Sequence, residues 1–270
     1  MRSAITVSLV PEVKGGPFVY WDDVSAAASK AAALGFDALE VFPRTPESVD
    51  VAALQSVLTA NQLSLAALGT GAGWVVHKLR LTDPDAAIRE KAVAFISEIA
   101  RKAGEFGAAT IIGSMQGRIE PQTPRNDAMG WLHDGVDRIA RTAAAAGSLL
   151  LLEPLNRYET NVLTSVIDGA DLLRKLAVPN VKLLCDLFHM NIEEADLGES
   201  LRHAGDLVGH VHFADSNRRA VGFGHLDVRP VMAALRDIGY DGYLSAEVFP
   251  LPDSDLAAKT TIDSYRKWVG

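Results

Sequence analysis

The chain alternates between short apolar runs and longer segments with helical periodicity, from one end of the sequence to the other. Eight of the apolar runs have the length and composition of β-strands. They cover residues 4–10, 37–42, 62–68, 109–113, 149–152, 181–186, 207–213 and 244–249. Continuous apolar runs of this kind are typical of strands that are buried on both faces of a parallel sheet.

The segments between these runs are predicted to be helices. One order, a helix, a glycine and then a buried strand, recurs at Gly35, Gly107, Gly147 and Gly239. Glycine commonly ends a helix because it adopts the left-handed conformation without strain. The predicted helices include residues 83–106, with Pro84 in the first turn, 126–146, 164–176 and 255–268. The repetition indicates a modular architecture.

Eight strands that alternate with helices over 270 residues predict an α/β protein, a (β/α)8 TIM barrel. We expect a single domain across residues 1–270, because no segment resembles an interdomain linker or a low-complexity tail. A doubly wound open sheet is the alternative architecture.

Composition narrows the class of protein. Hydrophobic residues make up 48% of the chain and charged residues 22%, which is typical of a soluble globular protein. The net charge of −8 disfavours a nucleic-acid partner. The single cysteine, Cys185, excludes an intrachain disulfide, and we find neither a signal peptide nor a membrane span. We therefore expect a cytoplasmic protein without membrane contact, and a homodimer or homotetramer remains open.

Polar side chains stand at the carboxyl-terminal ends of the last four predicted strands, where TIM barrels carry their functional residues. They are Glu153, Asp186, His212 and Glu247, spaced by about one βα unit each. Three carboxylates and one imidazole at a common point predict a site for one divalent metal ion, with Mn²⁺ first and Mg²⁺, Co²⁺ or Zn²⁺ as alternatives.

Three of these residues also have a simpler interpretation. Glu153 could pair with Arg157, Asp186 could cap a helix, and His212 could be a core histidine. His210 shares the strand face of His212, so we expect it one layer deeper, in the core or behind the metal ligands. The set of four favours the metal site more than any single member does.

The motifs LEPLNRYET, CDLFHMN, GHVHFADSNR, GHLD and SAEVF resemble the xylose-isomerase-like TIM barrels, and within them the ketose 3-epimerases of the tagatose and psicose type. The resemblance is close in the C-terminal half and general in the N-terminal half. It implies that Glu153, Asp186, His212 and Glu247 hold the metal. It further implies that Glu159, His189 and Arg218 contact a small carbohydrate substrate.

The chemistry expected of such a site is proton transfer on a keto-sugar. A divalent ion that binds a ketone oxygen acidifies the adjacent C–H, and two carboxylates can remove and return the proton through an enediolate. Glu153 and Glu247 are the predicted catalytic pair. Return to the opposite face is epimerisation, and return to the carbonyl carbon is isomerisation.

Three other functions stay open at this point. Loss of a β-hydroxyl from the same enediolate would make the protein a lyase, resembling inosose dehydratases or 3-keto-sugar eliminases. An apurinic endonuclease would need further histidine ligands where this chain has Gly69-Thr70 and Ser114-Met115. A metal-free sugar-binding protein is the third.

Two loops depart from the epimerase pattern and bear on substrate choice. The first loop is long and aromatic, with Phe18, Tyr20 and Trp21, and the other is residues 114–118. The glycine-rich residues 69–73 are interpreted as a mobile loop that presents Trp74 over the site. Trp74 is therefore a predicted substrate-binding residue.

Overall fold

A computed structural model describes residues 1–176 and 178–269, and nine parallel strands run through this part of the chain. The strands are β1 (Arg2–Ser8), β2 (Tyr20–Trp21), β3 (Ala38–Phe42), β4 (Ser64–Gly69), β5 (Ala109–Ile112), β6 (Leu149–Leu152), β7 (Val181–Asp186), β8 (Val208–His212) and β9 (Tyr243–Ala246).

Eight of these strands form a closed barrel. The sheet order is β2-β1-β3-β4-β5-β6-β7-β8-β9, and pairing of β1 with β9 closes the ring. The two-residue strand β2 lies outside the ring and pairs with the end of β1 through Tyr20 and Trp21. The predicted TIM barrel is confirmed, and the alternative of an open sheet is wrong because an open sheet would leave β1 and β9 as edges.

Helices connect the strands and cover the outside of the barrel. They are α1 (Val24–Leu34), α2 (Val51–Asn61), α3 (Ala72–Val75), α4 (Ala86–Gly104), α5 (Arg125–Ala146), α6 (Val166–Leu173), α7 (Leu187–Glu193), α8 (Leu197–Ala204), α9 (Val228–Asp237) and α10 (Ser254–Val269). None of the helices in the described ranges has both the length and the apolar character needed to cross a lipid bilayer.

Local sequence signals set several helix ends. Asp23 caps α1 by accepting a hydrogen bond from the amide of Ala26, and Gly35 ends the helix in the left-handed conformation. Gly147 ends α5 in the same way. These caps satisfy amide and carbonyl groups that would otherwise lack partners at a helix terminus.

The structure differs from the sequence prediction at several boundaries. Pro84 precedes α4 rather than lying in its first turn, because the side chain of Asp85 caps the helix and the helix begins at Ala86. The short helix α3 begins inside the glycine-rich segment that was predicted to be a loop. Strand β9 ends at Ala246, so Glu247 lies just beyond the strand.

Small residues let the two longest helices approach closely. Gly104, the last residue of α4, lies against the end of α5, and a Cβ atom at this position would overlap the carbonyl oxygen of Ala146. Gly130 lies inside α5 with open space around it. The two glycines therefore make a matched pair for testing how tightly the outer layer is packed.

We predict that Gly104→Ala lowers the free energy of unfolding by about 1–3 kcal/mol, because the backbone of one helix must move away from the other. Gly130→Ala is the control and should raise it by about 0.5–1 kcal/mol, since alanine loses less backbone entropy than glycine in a helix. Urea unfolding followed by circular dichroism measures both. Equal stability of the two variants would contradict the close contact between α4 and α5.

Candidate metal centre and active site

Four buried side chains from consecutive barrel strands converge at the carboxyl-terminal end of the barrel. Glu153 follows β6, Asp186 ends β7, His212 ends β8 and Glu247 follows β9. One ligand atom of each lies within 4.8 Å of the others. His212 Nδ1 lies 3.5 Å from Glu153 Oε1, 3.5 Å from Asp186 Oδ2 and 3.6 Å from Glu247 Oε2. The predicted convergence is confirmed.

Three of the four atoms that face this common point lack hydrogen-bond partners within residues 1–176 and 178–269. Glu153 Oε1, Asp186 Oδ2 and His212 Nδ1 are buried, and each is left without a partner. Buried polar atoms normally have one, because an unsatisfied group costs about 1–3 kcal/mol. A divalent cation among these atoms would satisfy all three, so the donor set fits a metal ion.

The electrostatics of the cluster also favour a cation. Burial raises the pKa of Glu153 to about 8; the carboxylates of Glu247 and Asp186 add to the shift, and His212 opposes it. Burial alone would lower the pKa of His212, but the carboxylates of Glu40 and Glu247 raise it well above its usual value. Without a cation, therefore, protons occupy the site near neutral pH.

The two oxygens of Asp186 have different surroundings, so the helix cap does not exclude a metal ligand. Its Oδ1 accepts a hydrogen bond of 2.7 Å from the amide of Phe188 and caps α7. Its Oδ2 is the unpartnered atom that faces His212. The cap therefore orients the carboxylate, and one oxygen remains available to the site.

The simpler interpretation of Glu153, a pair with Arg157, is wrong. Arg157 points outwards and pairs with Glu193 at 2.9 Å. Glu153 instead turns inwards, where a Cβ atom on Gly113 would overlap its Oε2. Gln116 donates a 2.9 Å hydrogen bond to the main-chain carbonyl of Glu153 and so holds the backbone below the carboxylate.

His189 lies beside the cluster on α7 and is oriented by Asn156. The side-chain amide and the main-chain amide of Asn156 lie 2.8 Å and 3.3 Å from His189 Nδ1. Because both amide groups are donors, Nδ1 accepts and Nε2 carries the proton. Burial lowers the pKa of His189, so the ring is neutral. Its Nε2–H has no partner in the described part of the chain; Nε2 lies 3.6 Å from Asp186 and 3.8 Å from Glu153.

Arg218 and Glu159 lie on the rim of the same site. Arg218 donates to Glu247 Oε2 at 2.6 Å and to Glu159 Oε1 at 3.2 Å, and its guanidinium lies 4.9 Å from the centre of the Phe188 ring. The loop that carries Arg218 is folded around Asp215, whose carboxylate accepts hydrogen bonds from several backbone amides. Arg218 therefore has a defined position beside the cluster.

The position of Trp74 does not support its predicted contact with substrate. Because α3 begins at Ala72, the indole ring packs against the protein core and beside the cations of Lys78 and Arg80. Ala72 and Val75 of the same helix line the cavity instead. The run of glycines indicated a loop, and nothing in it signalled a helical turn.

Glu40 was not recognised from the sequence. This residue lies in the middle of β3, is fully buried, and accepts hydrogen bonds from His210 Nε2 at 2.8 Å and from His212 Nε2 at 3.0 Å. Burial would raise the pKa of Glu40, but the two imidazoles hold it below its usual range. His210 lies one layer below His212, as the strand alternation predicted. The sequence did contain a signal for a buried polar role, because Glu40 is a glutamate inside an apolar strand.

A cavity of about 220 Å³ opens above the cluster. Its polar end is lined by Glu153, Glu159, His189, Arg218 and Glu247. The apolar part of the lining includes Val10, Pro17, Phe18, Phe42 and Leu155. The rings of Phe18 and Phe42 lie 4.5 Å apart, and Phe42 occupies space that a side chain at Gly69 would fill. The cavity can hold a small molecule with one oxygen-rich end.

Comparison with known proteins agrees with this geometry. The sequence model of the xylose isomerase-like TIM barrel family matches residues 28–268. A D-psicose 3-epimerase of Agrobacterium fabrum is 32% identical over 241 residues, which cover 86% of this chain and 83% of the relative. An L-ribulose 3-epimerase of Mesorhizobium japonicum is 31% identical over 84% of this chain and 77% of the relative.

A solved structure extends the likeness to the whole chain. The D-psicose 3-epimerase of Clostridium cellulolyticum H10, crystallised with D-tagatose, aligns with a TM-score of 0.83 at 25% identity and covers 100% of this chain and 99% of its own. The family resemblance drawn from the sequence motifs is thereby confirmed. This chain belongs to the xylose isomerase-like TIM barrel family, with ketose 3-epimerases among its relatives.

Proposed function

We propose that this protein is a divalent-metal-dependent epimerase that inverts the carbon next to the carbonyl group of a free ketose. One observation carries the proposal: Glu153, Asp186, His212 and Glu247 meet at one point, and three of their atoms there have no partner among the residues that the structure describes. The names of the two relatives, both 3-epimerases of ketoses, support the choice of reaction and of carbon.

The four converging residues would hold the metal ion. Three carboxylates and one imidazole suit Mn²⁺, Mg²⁺ or Co²⁺, and Mn²⁺ is the first choice. When bound, the ion supplies Lewis-acid polarisation of the ketone, which acidifies the neighbouring C–H. Side chains of the protein would carry out the proton transfer and bind the substrate.

Glu153 and Glu247 are the proposed acid and base. In the metal-free site burial raises the pKa of both carboxyl groups, to about 8 for Glu153. Burial disfavours the charged form of a carboxylate and so makes it a stronger base. One group would remove the proton from one face of the carbon, and the other, protonated from solvent, would deliver a proton to the opposite face.

His189, Arg218 and Glu159 are the proposed substrate contacts. The free Nε2–H of His189 points into the site and would donate to a substrate oxygen. Arg218 and Glu159, joined at 3.2 Å, would contact further hydroxyl groups at the rim. Because the Arg218 guanidinium also holds Glu247, it keeps that carboxylate in place before the substrate enters.

The cavity favours a ketose without a phosphate group. Within the described residues its wall contains one arginine, Arg218, and no lysine. That arginine is already paired with Glu247 and Glu159. Phosphate binding usually requires cations or amides that are free to contact its oxygens. The apolar wall around Phe18 and Phe42 would face the end of the sugar remote from the carbonyl.

Two alternative functions, a lyase and a nuclease, differ from an epimerase in their products or in the metal ligands they need. A lyase would use the same residues, and no contact in the site favours elimination over proton return. A nuclease would need further metal ligands after β4 and β5, where Thr70 and Ser114 line the cavity. Epimerisation therefore stands as the proposal, and product analysis distinguishes it from elimination.

We predict that Mn²⁺ binding near neutral pH releases at least one proton. The metal needs the ionised carboxylate, and the pKa of Glu153 in the metal-free site lies near 8, so proton and metal compete below that pH. Affinity should then rise about tenfold per pH unit up to that pKa for each displaced proton. Calorimetry in two buffers with different ionisation enthalpies counts the protons; a count of zero would contradict the protonated site.

We predict that the enzyme exchanges the C3 proton of its ketose with solvent deuterium, and that Glu247→Gln lowers this exchange by about 10²–10⁴-fold. NMR in D₂O follows the exchange and identifies the product, and metal content is measured for each variant. Glu90→Gln is the control, because Glu90 pairs with Arg138 on the surface. Exchange at the wild-type rate in a metal-loaded Glu247→Gln variant would exclude Glu247 as an essential base.

We predict turnover of a free ketose such as fructose, psicose, tagatose or ribulose. The terminally phosphorylated form of the same sugar should have a kcat/KM at least a hundredfold lower. This factor corresponds to about 2.7 kcal/mol of lost transition-state binding. The measurement is product formation by chromatography at matched concentrations. Preference for the phosphorylated sugar would show that the apolar wall does not face the remote end of the substrate.

A further inference from the structure

A second polar cluster lies below the proposed metal centre, inside the barrel. It consists of Glu40 on β3 with His210 and His212 on β8, and all three side chains are at most 1% exposed. The strands β3 and β8 are not neighbours, because β1 and β9 separate them in the ring. The carboxylate therefore reaches across the barrel interior to the two imidazoles.

The hydrogen bonds in this cluster determine which nitrogen of His212 faces the centre. Glu40 Oε1 lies 3.0 Å from His212 Nε2, and Glu40 Oε2 lies 2.8 Å from His210 Nε2. An ionised carboxylate only accepts hydrogen bonds, so both Nε2 atoms must donate. The proton on His212 Nε2 leaves Nδ1 as the nitrogen that can bind a cation.

The sheet is irregular beside both sets of side chains. Between β3 and β4 the extra residue is Ala66 of β4, next to Glu40, and between β7 and β8 it is Gly209 of β8, which no residue of β7 opposes. Irregularities of this kind redirect side chains. A Cβ atom at Gly209 would come within 2.6 Å of the Lys182 Cβ, so the close approach of β7 and β8 needs a glycine there.

The cluster needs no cation of its own. The two oxygens of Glu40 and the Nε2 atoms of both histidines all have partners, in contrast to the orphaned atoms of the centre above. Burying a carboxylate costs several kcal/mol unless hydrogen bonds compensate for the lost water. An apolar side chain would fill the position of Glu40 without this cost. The buried carboxylate therefore has a role other than core packing.

We propose that Glu40 is the positioning residue of the metal centre: it fixes the tautomer and the ring orientation of His212, and His210 in turn holds Glu40. The inference rests on the proposed function, because it assumes that His212 Nδ1 binds the metal. Carboxylates behind metal-binding histidines act in this way by orienting the ring and strengthening the nitrogen donor. Glu40 itself touches neither metal nor substrate.

The test compares wild type with Glu40→Gln. The amide keeps the volume but can accept a hydrogen bond at only one of its two positions. We expect the Kd for Mn²⁺ to rise about 10–100-fold. In the protein loaded with diamagnetic Zn²⁺, the Nε2–H signal of His212 in ¹H–¹⁵N NMR spectra should be present in wild type and lost or broadened in the variant. A merely structural role would leave this signal and the affinity unchanged.

Thr110→Val is the matched control. It removes another buried hydrogen bond on a barrel strand, between the hydroxyls of Thr110 and Ser148 at 3.1 Å, and touches none of the proposed ligands. We expect it to lower stability without changing the Kd for Mn²⁺. If Glu40→Gln does not fold, His210→Leu supplies the second measurement, since it removes the partner of Oε2 and should also weaken Mn²⁺ binding.

The outcomes separate this inference from the proposed function. If wild type and Glu40→Gln bind one Mn²⁺ equally well, the proposed role of Glu40 is wrong, and the proposed function stands. Binding of two ions, with the second lost in Glu40→Gln, would show that the lower cluster is itself a metal site. Wild-type protein that binds no divalent ion would overturn both proposals.

Discussion

The repulsion among three buried carboxylates at one end of the barrel is the constraint on which the rest of the site depends. Glu153, Asp186 and Glu247 lie where water is largely excluded, around a single imidazole nitrogen. Like charges in such a place are unfavourable unless protons or a cation neutralise them. The barrel tolerates this because its two largest hydrophobic clusters lie elsewhere, between the strands and the surrounding helices.

The surroundings of the cluster follow from this constraint. Arg218 supplies one positive charge beside Glu247, and the imidazole of His212 is held between the carboxylates above it and Glu40 below. His189 stays neutral and contributes a hydrogen-bond donor without adding a further charge. The arrangement resembles a site prepared for a dication and an oxygen-rich molecule more than a set of structural ion pairs.

Much of the fold and of the centre could be predicted from the sequence. The four metal-ligand candidates lie at strand ends, and strand ends can be found from apolar runs and stop glycines such as Gly35 and Gly147. Glu40 was missed because its partners lie 170 and 172 residues away, on a strand that does not neighbour its own. Trp74 was misplaced because whether a short helix forms after Gly71 depends on tertiary packing rather than on local signals.

Anomalous X-ray diffraction from crystals grown with Mn²⁺ tests the metal centre most directly. We predict one anomalous peak, bounded by Glu153 Oε1, Asp186 Oδ2, His212 Nδ1 and Glu247 Oε2. The Nε2 atom of His212 should remain hydrogen-bonded to Glu40 in the same crystal. A peak located elsewhere, or no peak at saturating Mn²⁺, would contradict the metal centre and the mechanism built on it.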